Sequence, residues 1–243
     1  MRMLTFARRC AREILRDPIN LSFGLGFPLV LLLLLSAIQA NVPVSIFEIH
    51  SLTPAVTVFG LSFMSMFSAT LIAKDRESAL LQRLYTTPLT SVDFILGYTL
   101  PLLPIAIAQT VICYLVALTL GLTFSVNILY AIVGIIPMAL FYVAFGLLCG
   151  SLLGVKQVGG ICGALLTNLS AWLSGLSFDL ALIGGGFEKA ARALPFIHAV
   201  ELEKGLINGN FGECANHIIP VVLYATGAIA AAVVAFLKQM RKQ

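Results

Sequence analysis

The chain has 243 residues, 59% of them hydrophobic and only 11% charged, with a mean hydropathy of +1.00. A water-soluble domain carries roughly 25% charged residues, so this composition excludes an ordinary soluble enzyme and specifies a membrane protein. The net charge of +4 calls for no nucleic-acid partner, because the basic residues sit beside apolar runs of span length.

Met3 to Arg16 has the pattern of an amphipathic helix. Leu4, Ala7, Cys10 or Ala11, and Ile14 or Leu15 fall on one face; Arg8, Arg12 and Arg16 stack at four-residue intervals on the other, and Asp17-Pro18 ends the helix. Such a helix lies in the headgroup layer with its arginines toward anionic lipid. Residues 1–18 are expected either as a positive-inside anchor or as a connector helix that also touches a soluble partner. A basic region ahead of an apolar run also describes a signal peptide, but this run has the length of a full span and no small-x-small cleavage pattern follows.

Six spans are expected, at 21–40, 52–73, 94–121, 127–153, 158–178 and 217–237, each near the roughly 20 residues a helical crossing needs. The third and fourth come from one run, Phe94 to Val155, that holds no formal charge and is divided by the polar, glycine-containing stretch 121–127. Segment 184–213 carries Glu188, Lys189, Arg192, Glu201, Glu203, Lys204 and Glu213. Central charges cost about 2.5–3.5 kcal/mol each in lipid, so this segment is expected outside, partly helical. Orientation follows from the basic residues, which favour the cytoplasmic side: with the N-terminus inside, 12 of 15 are cytoplasmic. The expected fold is thus an all-α polytopic membrane protein in one transmembrane domain, 1–243, with six transmembrane helices and both termini cytoplasmic. Prolines 28, 101, 104, 137 and 220 mark expected bends.

The five cysteines are spread so that no external disulfide or CxxC metal site is expected. His50, His198 and His217 read as a scattered, solvated set, and no metal ligands are assigned. No ionisable residue occupies the centre of a span, which argues against a proton-coupled carrier.

The loop 74–92 is the most informative segment. Lys74-Asp-Arg-Glu is followed by Leu80, Leu81 and Leu84 on one helical face, and Pro88 forces a stop. Thr90-Ser-Val-Asp93 then has capping-box spacing at the start of the third span. A short mixed-charge helix across the base of two spans exceeds what a simple turn requires.

This loop resembles the coupling-helix signature of type-2 ABC exporter permeases, roughly E-R-E-x-G-T-L-E-R-L-L-x-T-P-[LV]. The matching positions are Arg76, Glu77, Leu81, Arg83, Leu84, Thr87 and Pro88; the departures are Ala79 for Gly, Leu80 for Thr, Gln82 for Glu, and Tyr98 where a Lys commonly follows the Gly of span three. The N-terminal amphipathic helix, six spans and an external Leu194-Pro-Phe196 segment are similar to that family as well. The resemblance implies a permease in the cell membrane, the bacterial cytoplasmic membrane, that pairs with a second copy or a homologous permease. It further implies two separate ABC ATPase subunits holding ATP and Mg2+; this chain has no G-x-x-x-x-G-K-[ST] loop and is assigned no cofactor and no catalytic residue. Glu77 and Arg83 are then candidates for polar contacts with the ATPase, and Leu80, Leu81 and Leu84 for apolar packing.

Two surfaces are candidates for a substrate path. Phe59, Phe63 and Phe67 recur at four-residue intervals in span two, either as a greasy lining or as ordinary packing. In span five, Gly160, Gly163, Thr167, Ser170, Ser174 and Ser177 recur at three and four, with Asn168 nearby, as a path or as a close-packing face. Gly146, Gly150 and Gly154, and Gly159 with Gly163, have GxxxG spacing for tight helix contact. An uncharged, phenylalanine-lined path suits hydrophobic or amphipathic cargo such as a drug, lipid or peptide. The rival classes are a stand-alone carrier or channel, which would show inverted repeats or mid-span charges, and an intramembrane enzyme, which would show a motif such as G-x-S-x-G or H-E-x-x-H; the sequence carries none of these.

Overall fold

The computed structural model describes residues 2–42, 47–78, 90–176 and 184–240, and every regular element among them is helical. Helix α1 (Arg2–Leu15) leads into α2 (Pro18–Gln39) through Asp17, whose carboxylate accepts the Asn20 N–H at 3.2 Å while Pro18 takes the first helical position. That pairing of cap and proline satisfies an orphan donor and pre-sets the backbone. Next come α3 (Ile49–Gly60) and α4 (Ser62–Glu77), which meet at Leu61 to form one rod. The expected capping box is present: Thr90 Oγ1 accepts the Asp93 N–H at 3.3 Å and Asp93 accepts the Thr90 N–H at 2.9 Å, starting α5 (Ser91–Thr99).

Helix α6 (Leu102–Thr119) continues α5 past a break at Leu100 and Pro101, and α7 (Asn127–Gly134) continues as α8 (Ile136–Leu152), with Pro137 in the first turn of the latter. Two of the five expected proline bends thus coincide with helix breaks, whereas Pro28 and Pro220 sit inside unbroken helices. The stretch expected as span five is helical in three pieces: α9 (Val155–Val158), a π-helical segment (Gly159–Leu165) and α10 (Leu166–Leu173). Then follow α11 (Gly185–Ala193), α12 (Pro195–Asn208) and the long α13 (Phe211–Met240).

Among the described residues, five rods are long and apolar enough to cross a membrane: Pro18–Gln39, Ile49–Glu77, Ser91–Thr119, Asn127–Leu152 and Phe211–Gln239. The α3–α4 rod is central and mostly buried, whereas α2 and α13 expose most of their apolar surface, as helices facing lipid do. Helix α8 lies against α4 on one side and α13 on the other. The contact with α4 is backbone-close. A Cβ built on Gly146 would stand 2.3 Å from the Ser65 carbonyl oxygen, and one on Gly150 would stand 2.6 Å from that of Ala69. This is the small-residue packing expected of the first glycine series. Gly159, by contrast, meets nothing within 4 Å.

Helix α1 buries the expected face at Ala7, Cys10 and Ile14, with Phe6 in place of Leu4. Phe6, Ala7, Cys10 and Ile14 are buried, while Leu4 and Leu15 are exposed. Phe6 stands edge-on to Phe94 at 5.5 Å and to Tyr98 at 5.0 Å, over Gly97, where any Cβ would strike its ring. Phe236, near the end of α13, closes the cluster against Phe94 and Tyr98. The apolar face therefore packs on protein, with Phe6 filling the notch that Gly97 leaves.

Helices α11 and α12 cover one end of the rods. Gly209, at φ 75°, ends α12, with the Asn210 N–H returning to the Gly205 carbonyl at 2.9 Å, a glycine-terminated stop. Glu203, expected among solvated charges, is instead 1% exposed: Tyr114 of α6 donates to it at 2.6 Å, and its other oxygen has no partner among the described residues. Burial pushes the Glu203 carboxyl up to about 8.

Two outcomes follow. Gly146→Ala lowers thermal stability in detergent by roughly 1–3 kcal/mol, the usual cost of overpacking, while Gly159→Ala leaves it unchanged. For Glu203, the folded value of about 8 lies above the ordinary 4.5, so the folded chain holds more protons between these limits and stability falls as pH rises through them. Glu203→Gln, which still accepts from Tyr114 but cannot ionise, unfolds at the same temperature as the parent near the lower limit and at a higher one near the upper limit. Unfolding curves recorded across that pH window check this.

Candidate functional site

The site is built around α4, which carries charges at one end and aromatic rings at the other. At the charged end Asp75 is 2% exposed. A buried carboxylate is tolerated only when its lone pairs are met by donors, and here they are. Both terminal nitrogens of Arg9 reach it, Nη2 to Oδ1 at 2.6 Å, and the Tyr98 hydroxyl donates at 2.9 Å. Arg9 also pairs with Glu13 at 2.6 Å, and Lys74 with Asp17 at 3.5 Å. Helices α1, α4 and α5 are thereby fastened at one point. Arg9 lies off the Arg8, Arg12, Arg16 stripe, and Tyr98 occupies the position where the resemblance leads one to expect a lysine; with Arg9 supplying the cation, a neutral donor completes the shell.

Arg76 and Glu77 face the joint between α8 and α9. Arg76 donates to the carbonyls of Ser151 and Leu153, the latter at 2.5 Å, and Glu77 accepts the Val155 N–H at 2.9 Å. A cation at the end of one helix and an anion at the start of the next satisfy orphan backbone groups and oppose the local dipoles. Both side chains are thus engaged within the chain itself. Leu81, Arg83, Leu84, Thr87 and Pro88, with Leu80, lie outside the described residues.

Further along α4, a groove of about 750 Å3 opens between α2, the α3–α4 rod and the π-helical segment with α10. Phe59, Phe63, Thr167 and Asn168 line it, as do Phe27 and Asn20. The rings of Phe27, Phe59 and Phe63 stand 5.9–6.0 Å apart in tilted and edge-on contacts, the geometry ring quadrupoles favour. Phe27, missed in the sequence reading, is 42% exposed and is the ring of the three that faces outward. Phe67 lies instead beside a second cavity of about 310 Å3, with Asp17, Arg16 and Lys74 at its rim; the two cavities share Ile19 and Asn20.

The span-five stripe does not hold together. Thr167 bridges helices, accepting from Ser62 at 3.3 Å and donating to the Cys162 carbonyl. Ser170 is buried against the Tyr142 hydroxyl of α8 at 2.5 Å, and Ser174 donates to the Ala171 carbonyl; neither lines the groove. Thr167, Ser170 and Ser174 all lie on the regular α10 and its cap, so the neighbour each one meets, not a shift of register, sets its role. Gly163 and Thr167 both line the groove although they lie on either side of the end of the π-helical segment. Its seven residues, Gly-Gly-Ile-Cys-Gly-Ala-Leu, include three glycines, weak formers of a regular helix, and Gly159, Gly163 and Ala164 form part of the groove wall.

Long apolar rods flanking a side groove, with an amphipathic helix locked to one end, are the architecture of a multi-pass membrane protein. The chain belongs to the ABC-2 type transporter family, whose model matches residues 2–204; a search of curated proteins finds no match. The sequence reading of an ABC-2 permease is therefore correct at the level of the family.

The buried pair sets an expected outcome. Asp75→Asn leaves an acceptor for Tyr98 but takes from Arg9 the buried one of its two counter-charges, leaving only the partly exposed Glu13. It costs roughly 3 kcal/mol, the low end for a broken buried pair, because the Arg9 side chain keeps 34% exposure. Replacing all three partners by apolar residues, Arg9→Met with Asp75→Leu and Tyr98→Phe, recovers most of that loss in a thermal unfolding assay.

Proposed function

We propose that the chain is the membrane subunit of an ATP-driven exporter, crossing the membrane six times with both termini cytoplasmic. On this reading two copies, or one copy and a homologous permease, face each other across the groove, and two separate ABC ATPase subunits hold ATP and Mg2+. The sixth crossing is the α9–π–α10 segment. The cargo is hydrophobic or amphipathic, such as a drug, lipid or peptide, and passes along Phe27, Phe59, Phe63, Thr167 and Asn168.

The observation that carries this reading is the continuity of α4. Phe63 in the groove and Arg76 at the joint lie on one unbroken helix, about 20 Å apart at 1.5 Å per residue. A push on the loop after Glu77 moves a rigid element, and a rigid element moves the groove wall. In this scheme Arg76 and Glu77 hold the base of the lever to α8 and α9, while Leu81, Arg83, Leu84, Thr87 and Pro88 meet the ATPase.

Expression of the chain with its neighbouring genes brings down an ATP-binding subunit; a permease that purifies alone, however gently, contradicts the exporter reading. In the assembled complex Arg83→Glu removes substrate-stimulated ATP hydrolysis without loss of folded permease. Phe63→Ala changes the ranking of transported substrates while leaving assembly intact, and an unchanged ranking returns Phe63 to a packing role.

A further inference from the structure

His198 and His217, 19 positions apart and read from the sequence as members of a scattered set, face each other. Their Nδ1 atoms are 3.1 Å apart, and Nε2 of His198 lies 2.9 Å from the carbonyl oxygen of Arg192. These two distances fix where the hydrogens are. A carbonyl only accepts, so Nε2 of His198 carries a hydrogen; neutral His198 then presents a bare Nδ1, and the hydrogen between the rings belongs to His217. The chain of donors runs from His217 through His198 to the last turn of α11.

A shared metal ion would also bring two ring nitrogens together, but the geometry rejects it. The ring centroids are 5.4 Å apart, about as far as two imidazoles joined end to end through a 3.1 Å contact can be. The nitrogens therefore aim straight at each other along one line, whereas two ligands of a tetrahedral ion converge on it from an angle. Among the described residues no group of three His, Cys, Asp or Glu side chains could hold a metal.

The arrangement has a limited proton capacity. With no added proton the bond is intact. One proton on His217 keeps the same Nδ1–H donor and gives it a charge, which strengthens the bond. A second proton, on His198, puts an N–H on each side of the contact and two positive charges face to face, and the contact is lost. Around the pair stand Glu201 on α12, Glu213 on α13 and Arg192 on α11, itself paired with Glu188 at 2.9 Å. They act on both protons alike, and what sets the second apart is the positive charge the first has left on the partner ring.

We propose that His198 and His217 form a proton-limited latch that fastens α11 and α12 to the start of α13 and releases them when the pair takes up a second proton. The same end of α11 is held by a second bond, from the Tyr224 hydroxyl to the Ala193 carbonyl at 2.5 Å, so release of the histidines leaves one tie and loosens the joint without detaching it. Helix α13 has 30 residues, about 45 Å at 1.5 Å per residue, against a hydrocarbon core of roughly 30 Å. His217 is the seventh residue of that helix, and both it and His198 are partly exposed, so protons reach the pair from water. That this water is outside the cell rests on the orientation proposed above; the latch does not.

The chain has only three histidines, so 15N-histidine labelling of the full chain in bilayers reads each one. Near neutral pH the expected spectrum has His198 protonated at Nε2 alone and His217 carrying Nδ1–H. On acidification the pair takes up one proton, and the second only after at least about a tenfold further rise in proton concentration, the mark of coupled sites. Spin labels at Lys189→Cys and Asn216→Cys then report the joint: their distance distribution broadens at the second step. In His217→Gln, whose amide can donate or accept toward His198, the distribution stays narrow throughout, and in His217→Ala it is broad at every pH. Titration of both histidines together, in step with His50, overturns the latch. So does an identical acid response in the parent and His217→Gln. Neither readout involves an ATPase or cargo, so the latch stands or falls separately from the exporter reading.

Discussion

A carboxylate taken out of water organises this chain. Asp75 is buried at the end of the central rod, where an unmet charge would cost several kcal/mol, and its oxygens are met by Arg9 from the first helix and Tyr98 from the fifth. Asp75 finds these donors only on other helices, although Arg9 also pairs with Glu13 on its own, so burying Asp75 draws α1, α4 and α5 together. The packing of Phe6 on Gly97 and the closure by Phe236 then follow, and the N-terminal helix becomes part of the bundle rather than a floating anchor.

From that fixed point the rod reaches in two directions. Beyond Asp75, Arg76 and Glu77 grip the α8–α9 joint through backbone groups. Toward the other end the rod supplies Phe63 to the groove, and the π-helical segment opposite it supplies a wall of small residues. A rigid rod facing an irregular helix is an arrangement in which a displacement of one side changes the width between them, as the proposed exporter role requires. The outer helices contribute a different chemistry: Glu203 and the paired histidines place titratable groups at contacts between elements, where the spans themselves are uncharged at their centres.

The parts legible in the sequence were those set by neighbours along the chain. Hydropathy marked the apolar rods, the Thr90–Asp93 spacing marked the start of α5, and Gly146 and Gly150 marked a tight contact. The parts that were not legible depend on residues far apart. Nothing local distinguishes Arg9 from Arg8 or Arg12 until Asp75, 66 positions later, is in place, and Glu203 reads as one more solvated charge until Tyr114 is found against it. The span-five stripe divides for the same reason, since Thr167 meets Ser62 and Ser170 meets Tyr142 only once α4 and α8 are in place. Four of the seven path candidates, Phe59, Phe63, Thr167 and Asn168, nonetheless line the groove, because side-chain size and polarity are legible in a sequence while facing direction is not.

The central claim is that the anchored rod transmits motion from its charged end to the groove. The described cysteines are all free and buried, so a thiol placed at the exposed position Asn168 can be labelled alone. In the permease assembled with its ATPase, the maleimide labelling rate of Asn168→Cys should change between nucleotide-free and ATP-bound states, and the change should vanish when Asp75→Asn is added to complexes that remain assembled. A nucleotide-dependent change that persists unaltered in the Asp75→Asn background would contradict the account.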